Sequence, residues 1–359
     1  MSASEPHETG PPAVPASAAP EAEAPVTTAS EAPIATQFLA PDETFDDNDS
    51  AIGEDSLSST ASIASSIFKF RVENGRTYNG YGDRTYFMPN DEIERDRLDL
   101  QHHLFQLMFG GKIFTAPIDR TKLHRVLDVG TGTGIWAIDM GDAYPEAEVY
   151  GVDVSPIQPQ FTPPNVKFEI DDLEKPWTFS EGFDFIFSRM ITGSFANWKE
   201  YIFRCFEFTN PGGYLELQDI CLPIHCDDDT LKGTNLEKYG ELLLEGSVKL
   251  GLALNSALTT KKLMEEAGFV DVVEVIYKWP LNRWPANKHM KEIGLWAHEV
   301  TISNLSGLSI ALFTHGLGWR IEELEVFLAD VRKDMKNSRI HSYWPIYIVH
   351  GRKPAVAKE

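Results

Sequence analysis

Residues 126–135, Val-Leu-Asp-Val-Gly-Thr-Gly-Thr-Gly-Ile, run from an apolar strand into an acidic, glycine-repeated turn and on into a helix. A chain with this stretch is steered towards an open α/β sheet, where ligands bind at the carboxyl ends of the strands. Glycines at 130, 132 and 134 let the backbone take positive φ and approach a ligand closely. A helix beginning near Thr133 points the positive end of its dipole at that ligand, so an anionic group is expected there. The stretch reads as a nucleotide-cofactor cradle, with Asp128, Gly130, Thr131, Gly132 and Gly134 as its candidate binding residues. The dinucleotide fingerprint G-x-G-x-x-G needs a glycine at 135, and Ile135 stands there, which disfavours a dehydrogenase.

Downstream spacing extends the crevice. After a helix over 134–143, the run Glu148-Val149-Tyr150-Gly151-Val152-Asp153 predicts a second strand ending in a carboxylate. At a strand tip, Asp153 fits the hydroxyls of a ribose. A third strand, Val166 to Ile170, ends at Asp171 and Asp172, where one acid can accept from an adenine amino group. Further strands are expected at Phe183–Ser188, at Tyr214–Gln218 after an Asn210-Pro211-Gly212-Gly213 turn, at Val270–Tyr277, and at Tyr343–Val349. This alternation with helices is the mark of a doubly wound sheet. Thr259 to Ala267 predicts a helix stopped by Gly268, and residues 284–338 predict a helical lobe walling the substrate side. The lobe is clearest at Ile321, Leu324, Phe327, Leu328 and Val331. Before the core, an aromatic segment over 76–89 leads into a helix near Asp91. There Asp91 and Glu94 resemble a capping box, and Leu104, Phe105 and Met108 form an apolar face, so the segment reads as a cap on the crevice.

The expected organisation is an acidic tail (1–66), a cap (67–122), a cofactor-binding core (123–283), the helical lobe (284–338), a last core strand (339–353) and a short tail (354–359). Residues 1–66 hold twelve Asp or Glu and no Lys or Arg, so more than half of the net charge of -22 belongs there. Eight prolines in that segment work against folding, and it reads as a solvated tail with isolated apolar spots at Ile34, Phe38, Leu39, Ile63, Ile67 and Phe68. The acidic balance argues against direct nucleic-acid binding, which needs Lys and Arg to neutralise phosphates. Cys205, Cys221 and Cys226 have no disulfide or metal-site spacing, and His225 beside Cys226 reads as incidental. Without a secretory leader or a long apolar run, no membrane attachment is expected; the expected compartment is the cytoplasm, with the nucleus as the alternative.

The spacing D-x-G-x-G-x-G from Asp128 to Gly134 resembles motif I of the class I S-adenosylmethionine (SAM) dependent methyltransferases. With the cap residues Tyr86 to Glu92 and Arg97 to His102, the run Asp153-Val154-Ser155-Pro156-Ile157-Gln158-Pro159, and Phe168 to Leu173, the chain resembles the fungal LaeA-like methyltransferase family over residues 75 to 353. The resemblance implies a Rossmann-like, mostly parallel seven-stranded sheet with its last strand antiparallel, an N-terminal helical cap and a helical insertion before that strand. It implies SAM as cofactor and a role in fungal secondary metabolism. That role is either methylation of a small-molecule acceptor at O or N, or nuclear regulation through protein partners. Thr131 stands where the regulator branch more usually has Cys, which leans towards the enzyme.

Methyl transfer from a sulfonium is an in-line displacement, so the protein chiefly aligns donor and nucleophile and excludes water; no metal is required. A hydroxyl acceptor calls for a general base, and His102 or His103 on the cap helix is the first candidate. Neighbours on a helix are about 100° apart, so only one of the two can face the crevice. His298 and His315 are alternatives from the lobe, where Trp284, Trp296 and Trp319 are candidates for an aromatic acceptor pocket. Arg189 at the end of strand four is a candidate to order a loop or face the cofactor carboxylate. Gln218 and Asp219 end strand five near the expected acceptor position.

Overall fold

The computed structural model describes residues 70–81 and 87–355. The acidic segment with its apolar spots, and residues 82–86 of the aromatic segment, lie outside the described residues. A hairpin of β1 (Arg71–Glu73) and β2 (Arg76–Tyr78) precedes α1 (Glu92–Met108). Asp91 caps α1 by accepting from the Glu94 amide at 3.2 Å. The expected capping box is only half formed, because the Glu94 carboxylate turns instead to Arg97 and Asn304.

The core follows as β3 (Arg125–Val129), α2 (Ile135–Ala143), β4 (Glu148–Asp153), β5 (Val166–Ile170), β6 (Phe183–Arg189), α3 (Trp198–Phe208) and β7 (Thr209–Ile220). Then come β8 (His225–Cys226), α4 (Asn235–Lys249), α5 (Ala257–Ala267), β9 (Val270–Pro280), α6 (Lys288–Ile302), α7 (Leu305–Ala311), a π-helical turn over Leu312–Gly316, α8 (Ile321–Lys336) and β10 (Ser342–Arg352). The strands order as β5-β4-β3-β6-β7-β10, with β9 and the short β8 both pairing with β10. Neighbouring pairs from β5 to β7 are parallel, whereas β10 is antiparallel to β7, β8 and β9. All seven expected strands form, and the two-residue β8 is added where Ser342 and Tyr343 pair with Cys226 and His225. The turn expected at 210–213 is instead absorbed into β7, with a register shift between Phe183 and Phe185 of β6 and Gly212 at φ 85.

Successive strands leave β3 in opposite directions across the sheet, so its carboxyl end is a topological switch point. Register sets Val129 beside Val152 and Ser188, and Asp153 beside Ile170. The glycine turn, Asp153, Asp171 and Arg189 therefore come together at one edge.

Helix α4 carries no obvious signal in the sequence beyond Thr234, whose hydroxyl accepts from the Glu237 amide at 3.1 Å. It joins the lobe: one hydrophobic core contains Leu104 and Phe105 of α1, Tyr239 and Leu243 of α4, Ile293 of α6, and Leu324 and Leu328 of α8. Burial of each such Leu or Phe contributes about 1.5–3 kcal/mol, so cap and lobe are fastened to the sheet by packing rather than by isolated polar contacts. Among the described residues no helix is long and apolar enough to cross a membrane.

Candidate functional site

The turn after β3 is shaped by its hydrogen bonds. The amides of Gly130 and Thr131 both donate to the Val152 carbonyl, at 2.9 and 3.1 Å, folding the turn back on β4. Gly134, at φ 82, caps α2, and a Cβ added there would lie 2.3 Å from Phe168 Cζ, so only glycine fits. A Cβ on Gly132, at φ 58, would fill space near Leu98 Cδ1 at 3.5 Å. Beneath the turn the Thr131 hydroxyl donates to Asp128 at 2.6 Å. Burial pushes the Asp128 carboxyl up to about 7, opposed by that hydroxyl and by the charge of Arg189.

The second strand tip clamps the turn from above. Asp153 accepts from the Gly132 amide at 2.9 Å and the Ser155 amide at 2.8 Å; burial raises its carboxyl, and these amides oppose the rise. Each carboxylate oxygen keeps a second lone pair, which suits acceptance from two vicinal hydroxyls. Gln158 closes the arrangement: its amide nitrogen donates to the carbonyls of Gly132 at 2.7 Å and Ser155 at 2.9 Å. The Gly132 backbone is thus held on both its N–H and its C=O by one loop. At the third tip, Asp171 accepts from the Asp172 amide and Asp172 from the Glu174 amide, at 2.8 and 3.0 Å. Asp128, Asp153, Asp171, Asp172 and Arg189 all line the same cavity of about 320 Å³, within the size range of small-molecule sites.

Arg189 is a half-buried hub. Its Nε donates to Gln218 at 2.8 Å, Nη1 to His102 Nδ1 at 3.0 Å and Nη2 to the Ile113 carbonyl at 3.1 Å. Its guanidinium lies 4.3 Å from the Phe105 ring centre. Burial pulls it down to about 9, opposed by Asp128, Glu216 and Asp139, so it stays cationic at neutral pH. Beside it, at the end of β6, Met190 also lines the cavity and takes φ 54, a strained conformation for a residue with a side chain.

His102 lines the cavity but is engaged at both ring nitrogens. With Nδ1 accepting from Arg189, Nε2 carries the proton and donates to Asp139 at 2.9 Å. This ties α1 to α2, and the Thr133 hydroxyl, donating to Asp99 at 2.6 Å, ties α1 to the glycine turn. His103 is exposed and packs edge-on against Trp296, away from the cavity, which removes it as a candidate base. His298 contacts the Leu281 carbonyl and His315 pairs with Glu73, both outside the cavity lining.

The acceptor side departs further from expectation. Trp284, Trp296 and Trp319 are absent from the lining: Trp284 donates to the Ser342 carbonyl, Trp296 packs on His103, and Trp319 on Phe313 and Phe327. Trp279, Trp344 and Tyr239 line the cavity instead. Gln218 is buried between Arg189 and Glu216, and Asp219 accepts from the Thr192 amide; neither reaches the cavity. On the cap, a bidentate Glu94–Arg97 pair faces in, at 2.7 and 2.8 Å, with Asn304 also donating to Glu94. The helical spacing of Glu94 and Arg97 was the available signal for this pair.

Residues 100–275 match a family model described as a methyltransferase domain. The methyltransferase pytC of Aspergillus terreus is 36% identical over 302 residues, covering 84% of this chain and 93% of its own. The secondary metabolism regulator LAE1 of Cochliobolus heterostrophus is 36% identical over 291 residues, covering 79% and 94%. The protein-methionine methyltransferase laeA of Emericella nidulans is 35% identical over 306 residues, covering 84% and 81%.

Proposed function

The chain belongs to the LaeA-like family of class I SAM-dependent methyltransferases, and from that premise we propose that it methylates a small-molecule acceptor of fungal secondary metabolism, at nitrogen or oxygen. Its cofactor is SAM, which when bound supplies an electrophilic methyl group on a sulfonium. The observation that carries the small-molecule reading is the continuity of the glycine cradle with an apolar chamber in one cavity.

In this reading Asp153 holds the ribose hydroxyls and Asp171 or Asp172 the adenine amino group. The turn of Gly130, Thr131, Gly132 and Gly134 receives the methionine end, over Asp128. Arg189 lends positive charge beneath that end and fixes His102. The lobe excludes water, and the chain gains rate by alignment. With both His102 nitrogens and both Glu94 oxygens engaged, neither of these cap groups is a free base for a hydroxyl. Nitrogen, which needs only to arrive with its lone pair, is therefore the favoured nucleophile.

The test is incubation of purified protein with methyl-labelled SAM and a fungal small-molecule extract. Label in a low-mass product is expected; label confined to protein would overturn the reading. The identity shared with LAE1 favours one other reading, regulation with a protein partner, which calls for nuclear accumulation and a stable complex.

A further inference from the structure

The part of the cavity lined by residues from the end of β7 onward is unlike its cofactor part. Among its lining residues, those from Ile220 onward include no charged side chain. The two hydroxyls in that stretch are bonded within the wall: Tyr239 to Ser309 at 3.0 Å and Thr301 to the Ala297 carbonyl at 2.8 Å. Burial also pushes the Tyr239 phenol well above its ordinary value, so it stays neutral. The indole nitrogen of Trp279 points to Met108 sulfur at 3.1 Å. On the cap wall, Glu94 and Arg97 neutralise each other, and Glu94 is linked through Asn304 and Arg76 to Asp91, two acids balanced by two arginines.

Resting on the methyltransferase reading, we propose that the acceptor is an uncharged, predominantly apolar, ring-sized molecule, gripped by Trp279, Trp344 and Tyr239 and by the leucines of α4 and the π-helical turn. An ionised acceptor would give up its hydration for a wall with no counter-charge, a loss that protein sites compensate only with a paired group. A flat apolar body gains contact with aromatic faces. Selection then lies in the lobe, while the cradle handles the cofactor.

The test is calorimetric titration, with and without saturating S-adenosylhomocysteine, of three probes sharing one ring system: 1-naphthylamine, 1-naphthoate and (1-naphthylmethyl)trimethylammonium. The neutral amine should bind about tenfold or more tightly than either ion. Equal or tighter binding of an ion, or no binding of the amine under either condition, would overturn the proposal. Leu243→Trp, which fills the chamber, should weaken the amine about tenfold or more while leaving S-adenosylhomocysteine affinity within about twofold. Leu308→Phe is the second variant should the first not fold. Undiminished amine binding in a folded filled variant places the amine elsewhere and also sinks the proposal. Failure of S-adenosylhomocysteine to bind wild-type protein refutes the cofactor reading separately, with the cofactor-free titrations still deciding the acceptor class.

Discussion

Replacing Gln158 tests whether the loop after β4 sets the shape of the cofactor cradle. Its amide donates twice, to Gly132 and Ser155, at 2.7 and 2.9 Å, and each such bond contributes about 0.5–1.5 kcal/mol net. The side chain is half-buried, so water replaces part of what Gln158→Ala removes, and a loss of about 1 kcal/mol, or about fivefold in S-adenosylhomocysteine affinity, is expected. Gln158→Glu keeps the size but sets a carboxylate against two carbonyl oxygens. It should be worse, by about 2–3 kcal/mol, because both bonds become repulsive rather than merely absent. Asp153 holds the N–H of the residue whose C=O Gln158 holds, Gly132, so Gln158→Ala and Asp153→Ala should be non-additive in a double-mutant cycle. Calorimetry at pH 8, with thermal unfolding as the folding control, reads all five proteins: wild type, the three single variants and the Gln158→Ala/Asp153→Ala double variant. A folded Gln158→Glu variant that binds S-adenosylhomocysteine as wild type does would refute the clamp.

Asp153→Ala alone should weaken SAM binding by about 1–3 kcal/mol, measured by calorimetry, and unchanged affinity would sink the ribose assignment. Gly134→Ala combines φ 82 with an overlap on Phe168, so a loss of at least about 1–2 kcal/mol of stability is expected in denaturant melts; wild-type stability would contradict the tight turn. Gly132→Val should abolish SAM binding by projecting a branched side chain into the cradle, and retained binding would place the cofactor elsewhere. Burial raises Asp219 from 3.8 to about 7, so native protein keeps a proton that the unfolded chain loses between those values. Its contribution is full below pH 3.8 and falls by up to about 1.4 kcal/mol per pH unit until about pH 7. Asp219→Asn, which leaves an oxygen for the Thr192 amide, should flatten that decline in melts across pH 4 to 7.

The core was legible because its signals are local. Strand tips and the glycine turn are written in consecutive residues such as Val126 to Gly134, and the alternation of strand and helix fixes where those tips meet. The lobe was not, because a residue lining a chamber and one packed in a core share the same apolar pattern. Trp279 and Trp344 lie on neighbouring strands β9 and β10, and Tyr239 on α4, which no strong motif announced. His102 failed as a free base for a related reason: its partners Asp139 and Arg189 lie 37 and 87 positions away. Helical geometry did state that His102 and His103 cannot both face inward; only the fold says which one does and what holds it.

The most direct test of cofactor class is parallel titration of purified wild-type protein with SAM, S-adenosylhomocysteine and NAD. Micromolar binding of both adenosyl ligands, with none of NAD, is expected from a cradle whose position 135 is isoleucine. Binding of NAD, or silence towards SAM and S-adenosylhomocysteine by a folded protein, would contradict it.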